Sequence, residues 1–168
     1  AYACSTLIDD FLALAYWKEK QTPLFVTRFF NTVGPRQTGQ YGMVIPRFVE
    51  RALKSEPIQI YGNGKQARCF GYVGDVVKAV IDLMLCKEAP GRVYNIGSTQ
   101  EISIEALADK IIQMTGSKST KQHLSYAEAY GRPFDDMMRR IPCLERLKQL
   151  IGYEPKTTLD EILKLVIA

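Results

Sequence analysis

Histidine is almost absent from this chain: His123 is the single one in 168 residues. A histidine-based metal site therefore has no ligand set, and a lone imidazole reads as a surface or strand residue. Cysteine is also sparse. Cys4, Cys69, Cys86 and Cys143 are scattered and form no CxxC pair, so neither a zinc site nor a disulfide framework is encoded. Unpaired cysteines of this kind point to a reducing, cytoplasmic setting. No apolar run approaches the ~20 residues that span a bilayer. There is no dense Lys/Arg block, and the net charge of +4 is mild; it suits an anionic small ligand and gives no support to a nucleic acid. Finally, no GxGxxG or GxxGxxG string opens a strand–helix unit. The pair Gly62 and Gly64 lies between short extended stretches instead, so no dinucleotide-cradling turn is identified.

What is present is an ordinary globular composition, 46% hydrophobic and 24% charged, in a length that suits one domain. Apolar residues from Leu7 to Tyr16 recur at helical spacing, with Ser5 placed to cap the start and Lys18 and Lys20 at the far end. Thr22-Pro23 breaks that helix. Leu24 to Phe30 then reads as a strand buried on both faces, as in a parallel sheet. Met43–Leu53 is an amphipathic helix with Pro46 in its first turn. Ile58 to Tyr61 alternates as a short strand, and Gly62-Asn63-Gly64 turns it. Asp75 is expected to cap a helix over 76–84, Arg92 to Ile96 to form a strand, and Ser103 to open a helix over 104–114. Residues 122–125 read as a short strand. Gly152 ends a helix over 144–151, and Thr158 caps a last one over 159–166.

Several strings occur in a fixed order: Tyr2-Ala3-Cys4-Ser5-Thr6, Arg28 to Arg36 (RFFNTVGPR), Val44 to Phe48 (VIPRF), Ile60 to Arg68 (IYGNGKQAR), Tyr72-Val73-Gly74-Asp75, Tyr94-Asn95-Ile96-Gly97 and Leu150 to Pro155 (LIGYEP). Each alone is weak. As an ordered set covering essentially the whole chain, they resemble the C-terminal half of the extended short-chain dehydrogenase/reductases, the NAD-dependent nucleotide-sugar epimerases and dehydratases. UDP-glucuronate decarboxylases, dTDP-glucose dehydratases and UDP-glucose 4-epimerases are the nearest in flavour.

The resemblance implies an α/β fold in which a partial Rossmann-type sheet joins a small mixed α/β substrate domain. Residues 1–36 would be the remnant of the NAD-binding domain and 37–168 the nucleotide-sugar domain, interleaved in one unit. It also implies a YxxxK pair, whose tyrosine acts as base on a sugar hydroxyl. A phenol titrates near ~10 and needs a neighbouring cation to work at neutral pH. Here Tyr2 matches the tyrosine, but Thr6 stands at the lysine position, so Tyr2 reads either as a relic of that base or as an aromatic at a helix start.

On the ligand side, the resemblance matches Arg68 and the Arg139-Arg140 pair to diphosphate-contacting arginines, whose forked donors suit phosphate. It matches Asn31 to a phosphate-binding amide, Val44, Ile45 and Arg47 to the segment along the nucleotide, and Ile60 and Tyr61 to the strand that packs on the base. Read without the resemblance, Arg68 is a strand residue, Arg139 and Arg140 a solvated pair and Asn31 a turn former. Cys143 and Arg146 replace the family's usual Asp and Lys, and the Cys removes a helix cap.

NAD is the cofactor of the parent family, and this chain alone is expected to hold none. The expectation is a truncated epimerase/dehydratase, either a free-standing gene product or a fragment, that is inactive alone. The alternatives are a sugar-nucleotide-binding module without chemistry, or an interaction domain completing a site in trans. Exposed apolar residues in the first helix and an unpaired first strand predict a homodimer or higher oligomer through residues 2–30.

Overall fold

The computed structural model describes residues 2–40, 43–131 and 136–168, with the side chains of Tyr2, Ala3 and Tyr130 outside that description. The chain is mixed α/β, and among the described residues all strand pairings but one are parallel. Helix α1 (Tyr2–Lys20) leads into β1 (Val26–Phe29), which pairs in parallel with β6 (Val93–Ile96). Strand β2 (Thr32–Val33) pairs with β5 (Gly71–Tyr72), and β3 (Ile58–Tyr61) with β8 (Lys121–Leu124). Strand β4 (Ala67–Cys69) sits between β7 (Glu101–Ser103), antiparallel, and β9 (Arg139–Arg140), parallel.

Two apolar cores hold these pieces. The first packs α2 (Val44–Leu53), α4 (Ile104–Thr115) and α7 (Leu159–Ile167) over β3, around Ile45, Phe48, Ile58, Ile60, Leu107 and Ile162. The second packs α3 (Val73–Leu85) and α6 (Glu145–Ile151) against β6, around Val76, Leu83, Tyr94, Ile96 and Leu147. Tyr153 closes this second core by donating its hydroxyl to Gly97 O at 2.9 Å. Burial there pushes its phenol pKa up to about 12.

Most helix boundaries follow local chemistry. Ser103 caps α4 by accepting from Ala106 N at 3.1 Å, and Gly116 ends it in the left-handed conformation. Thr158 and Glu161 form a reciprocal capping box on α7. Three expectations are corrected. Helix α3 starts at Val73, and Asp75 is not its cap; its carboxylate accepts Thr157 N at 3.0 Å and ties α3 to the loop before α7. Ser5 lies inside α1, which is already helical at Tyr2. Strand β1 is not buried on both faces: it pairs along one edge only among the described residues, and Phe29 is 55% exposed. Helix α1 keeps Leu7, Ile8, Phe11 and Leu12 exposed, while Asp10 is buried and takes the Arg28 guanidinium. No helix of the described residues is long and apolar enough to cross a membrane.

Candidate functional site

Strand β3 sets up one pocket through its two-residue period. Ile58 and Ile60 point into the first core and are fully buried, so Gln59 and Tyr61 face the other side. There they meet Val44, Arg47 and Phe48 of α2, Gln66, Arg68 and Phe70 around β4, and Asn31, which lies between β1 and β2. Tyr126, at the start of α5 (Tyr126–Tyr130), and Asp136 close the far wall. The cavity measures ≈ 180 Å³. That is below the ~300–1,000 Å³ of sites that enclose a whole drug-sized ligand, so it takes one end of a larger molecule.

The turn after β3 holds the wall in place. Gly62 and Gly64 both take positive φ, 71° and 70°. A Cβ on Gly62 would meet the Tyr126 ring at 2.8 Å, and one on Gly64 would meet Glu105 Oε2 at 2.8 Å. Glycine is thus required twice, by conformation and by space. The Gly64 carbonyl accepts Glu105 N at 2.9 Å and that of Gln66 accepts Ile104 N at 3.1 Å, fastening the segment between β3 and β4 to the first turn of α4.

The cations of the region have different partners. Arg68 donates to Ala67 O and Met137 O at 2.7 and 2.8 Å, and forms an ion pair with Asp136 at 2.5 Å. Asp136 also accepts the Tyr126 hydroxyl at 2.9 Å. Arg68 is therefore braced and neutralised. Arg47 donates to the Tyr61 hydroxyl and lies 4.8 Å from the centre of its ring. Among the described residues it has no carboxylate partner. Arg140 donates to Asn31 Oδ1 at 2.9 Å and sits 5.8 Å from the Phe30 ring centre. Its Nε is buried without a hydrogen-bond partner among the described residues. Asn31 in turn donates to Cys69 O at 2.9 Å, and burial pushes the Cys69 thiol pKa up, leaving it a poor nucleophile. Asn31 holds φ at 31°, a conformation asparagine tolerates better than most residues.

Of the residues singled out in the sequence, the structure brings Asn31, Val44, Arg47, Tyr61 and Arg68 together in this pocket, with Arg140 behind Asn31. Ile45 and Ile60 lie in the first core, not on the lining. Arg139 turns outward and grips Glu101 with a two-pronged contact at 2.9 and 3.1 Å. Tyr2 heads α1, and its side chain lies outside the described residues. Gln59, Gln66, Tyr126 and Asp136 were not anticipated. Gln59 was readable, since it shares the face of Tyr61 two positions on. Tyr126 and Asp136 carry no local signal, because they reach Gln66 and Arg68 from 60 and 68 residues away.

A family model described as GDP-mannose 4,6 dehydratase matches residues 1–166. The UDP-N-acetyl-alpha-D-glucosaminuronate decarboxylase of Bacillus cytotoxicus is 36% identical over 99% of this chain and 52% of its own length. The dTDP-D-glucose 4,6-dehydratase of Mus musculus is 34% identical over 99% of this chain and 46% of its own. Among solved structures, UDP-glucuronic acid 4-epimerase from Bacillus cereus, in complex with UDP-glucuronic acid and NAD, superposes with a TM-score of 0.86. It is 26% identical over 99% of this chain and 51% of that one. The chain thus spans about half the length of the curated relatives it matches. Its fold is that of the Rossmann-like short-chain dehydrogenase/reductases.

Proposed function

The chain belongs to the GDP-mannose 4,6-dehydratase family of nucleotide-sugar dehydratases and epimerases, and on that premise we propose that its pocket binds the nucleoside diphosphate end of a nucleotide sugar. The observation that carries this reading is Arg47, a guanidinium without a carboxylate partner among the described residues, facing a pocket that also holds the Asn31 amide. A diphosphate supplies the missing negative charge and accepts forked donors. Arg140 supports the same ligand by fixing the Asn31 amide, whose oxygen it occupies; one amide hydrogen goes to Cys69 O, which leaves the second to donate. Arg68 braces the wall. Phosphorus NMR of UDP-glucuronic acid tests the reading: both phosphate signals shift or broaden on adding the chain. Unchanged signals at millimolar ligand would reject it.

On this reading the chain is the sugar-nucleotide half of an enzyme that works through a 4-keto sugar and is inactive by itself. NAD supplies hydride transfer in the parent family, and the residues described here do not fit it. The glycines that could flank a pyrophosphate, Gly62 and Gly64, have their Cβ space filled by Tyr126 and Glu105, and they lie in a turn between two strands rather than open a helix. Thr6 at the lysine position supplies no cation for Tyr2. A second reading, an interaction domain that completes a site in trans, is favoured by α1, where Leu7, Ile8, Phe11 and Leu12 are exposed together on a helix beside β1, one edge of which is unpaired among the described residues. A homodimer through residues 2–30 would cover the same surface.

A further inference from the structure

Strand β6 carries chemistry on its second face. Tyr94 and Ile96 point into the second core and are fully buried, so Val93 and Asn95 face the other way. The strand register sets Arg28 of β1 beside Asn95. On that face lies a cleft of ≈ 560 Å³, bounded by β6, Arg28 and the start of α6. Its volume falls within the ~300–1,000 Å³ of small-molecule sites. It shares no lining residue with the pocket on β3. Three guanidiniums line it, those of Arg28, Arg92 and Arg146, with Glu145 as the one carboxylate of the lining. Arg146 donates through Nη1 to Val93 O at 2.8 Å, and Arg28 donates through Nε and Nη2 to Asp10. A guanidinium has five N–H donors, so both keep others for a ligand. The Arg92 side chain has no hydrogen bond or ion pair among the described residues. Even with Asp10 counted beside Glu145, the cleft is left net positive.

We propose that this cleft is a second ligand site, which takes a hydroxyl-bearing phosphate monoester of the sugar-phosphate class. A phosphate monoester brings about −1.5 to −2 of charge and three terminal oxygens for the three guanidiniums, where a carboxylate presents two. The other polar groups suit hydroxyls. Asn95 donates to Cys143 O at 3.1 Å and keeps its amide oxygen as an acceptor. Gln149 offers both a donor and an acceptor, and Glu145 accepts. No aromatic side chain lines the cleft among the described residues, so no platform is present for stacking a nucleobase. The site stands or falls independently of nucleotide binding at β3.

The exposed thiol of Cys143 lies on the cleft wall and reports its occupancy. Its alkylation by iodoacetamide, followed by mass spectrometry of the peptide, tests the proposal. Glucose 6-phosphate slows alkylation of Cys143 and leaves that of the exposed Cys4 unchanged. Glucose, glucuronic acid and inorganic phosphate at the same concentration protect far less. Arg92→Gln, at an exposed position, raises the half-protecting concentration about tenfold, the worth of one charge-assisted hydrogen bond. Arg47→Ala, in the pocket on β3, leaves protection as in the wild type. Alkylation of Cys143 at one rate with and without millimolar glucose 6-phosphate would overturn the site, as would full protection in Arg92→Gln. Loss of protection in Arg47→Ala would move the sugar phosphate to the β3 pocket and overturn it too. Equal protection by inorganic phosphate or by glucuronic acid would overturn the ligand class.

Discussion

At the scale of single residues, three arginines that look alike in the sequence have different surroundings in the fold. Arg68 is answered by Asp136, Arg139 by Glu101, and Arg47 by no acid among the described residues. Sequence could mark each as a cation but could not assign the partners, which lie 38 to 68 positions away for Arg139 and Arg68. Tyr153 shows the same limit and yields a pH prediction. Its folded pKa of about 12 lies above the ordinary ~10 of a free phenol. The neutral form is thus favoured in the fold, and its contribution is complete below about pH 10 and is lost as the pH rises toward 12. Urea unfolding from pH 9 to 12 should show stability falling by up to about 2 kcal/mol more in the wild type than in Tyr153→Phe. Parallel pH slopes for the two proteins would contradict it.

At the scale of elements, what was legible is what neighbouring residues settle among themselves. The alternation of Ile58 to Tyr61, the Ser103 and Thr158 caps and the Gly152 stop are all local, and all are found in the structure. Replacing Thr158 with Ala should cost about 1 kcal/mol in thermal or urea unfolding, since it removes one half of the capping box. A loss below a few tenths would mean that α7 is held by Leu159, Ile162 and Leu163 alone. Less legible were the elements that only distant pairing creates. The two-residue strands Thr32–Val33 and Arg139–Arg140 exist through their neighbours across the sheet. Asp75 looked like a cap because it precedes an apolar run, yet Thr157, 82 residues on, claims its carboxylate. For the strand ending at Phe30, the apolar run suggested a buried position, but burial depends on a second neighbour that the run itself does not reveal.

At the scale of the whole molecule, the two cores divide the chain unevenly. The α2–α4–α7 core closes over β3 and carries the pocket on the strand's other face. The core around β6 leaves α1, the β1 edge and the outer face of α3 (Val77, Ile81, Met84) uncovered. Each large apolar side chain brought from water into a contact contributes about 1.5–3 kcal/mol, so self-association through α1 is expected. Light scattering at micromolar concentration should show a dimer or larger species, and Phe11→Glu should shift it toward monomer. A monomeric wild type would remove the homodimer and leave the in-trans reading to be tested with a partner. The pocket is built beside the α2–α4–α7 core and away from α1, so the proposed nucleotide binding does not depend on α1. The most direct measurement of that claim is calorimetric titration of UDP-glucuronic acid into the wild-type chain and into Arg47→Ala. Saturable binding is predicted for the wild type, weakened about tenfold or more by Arg47→Ala through loss of a charge-assisted contact. Equal affinity in the two proteins, or no binding to the wild type, would contradict the account.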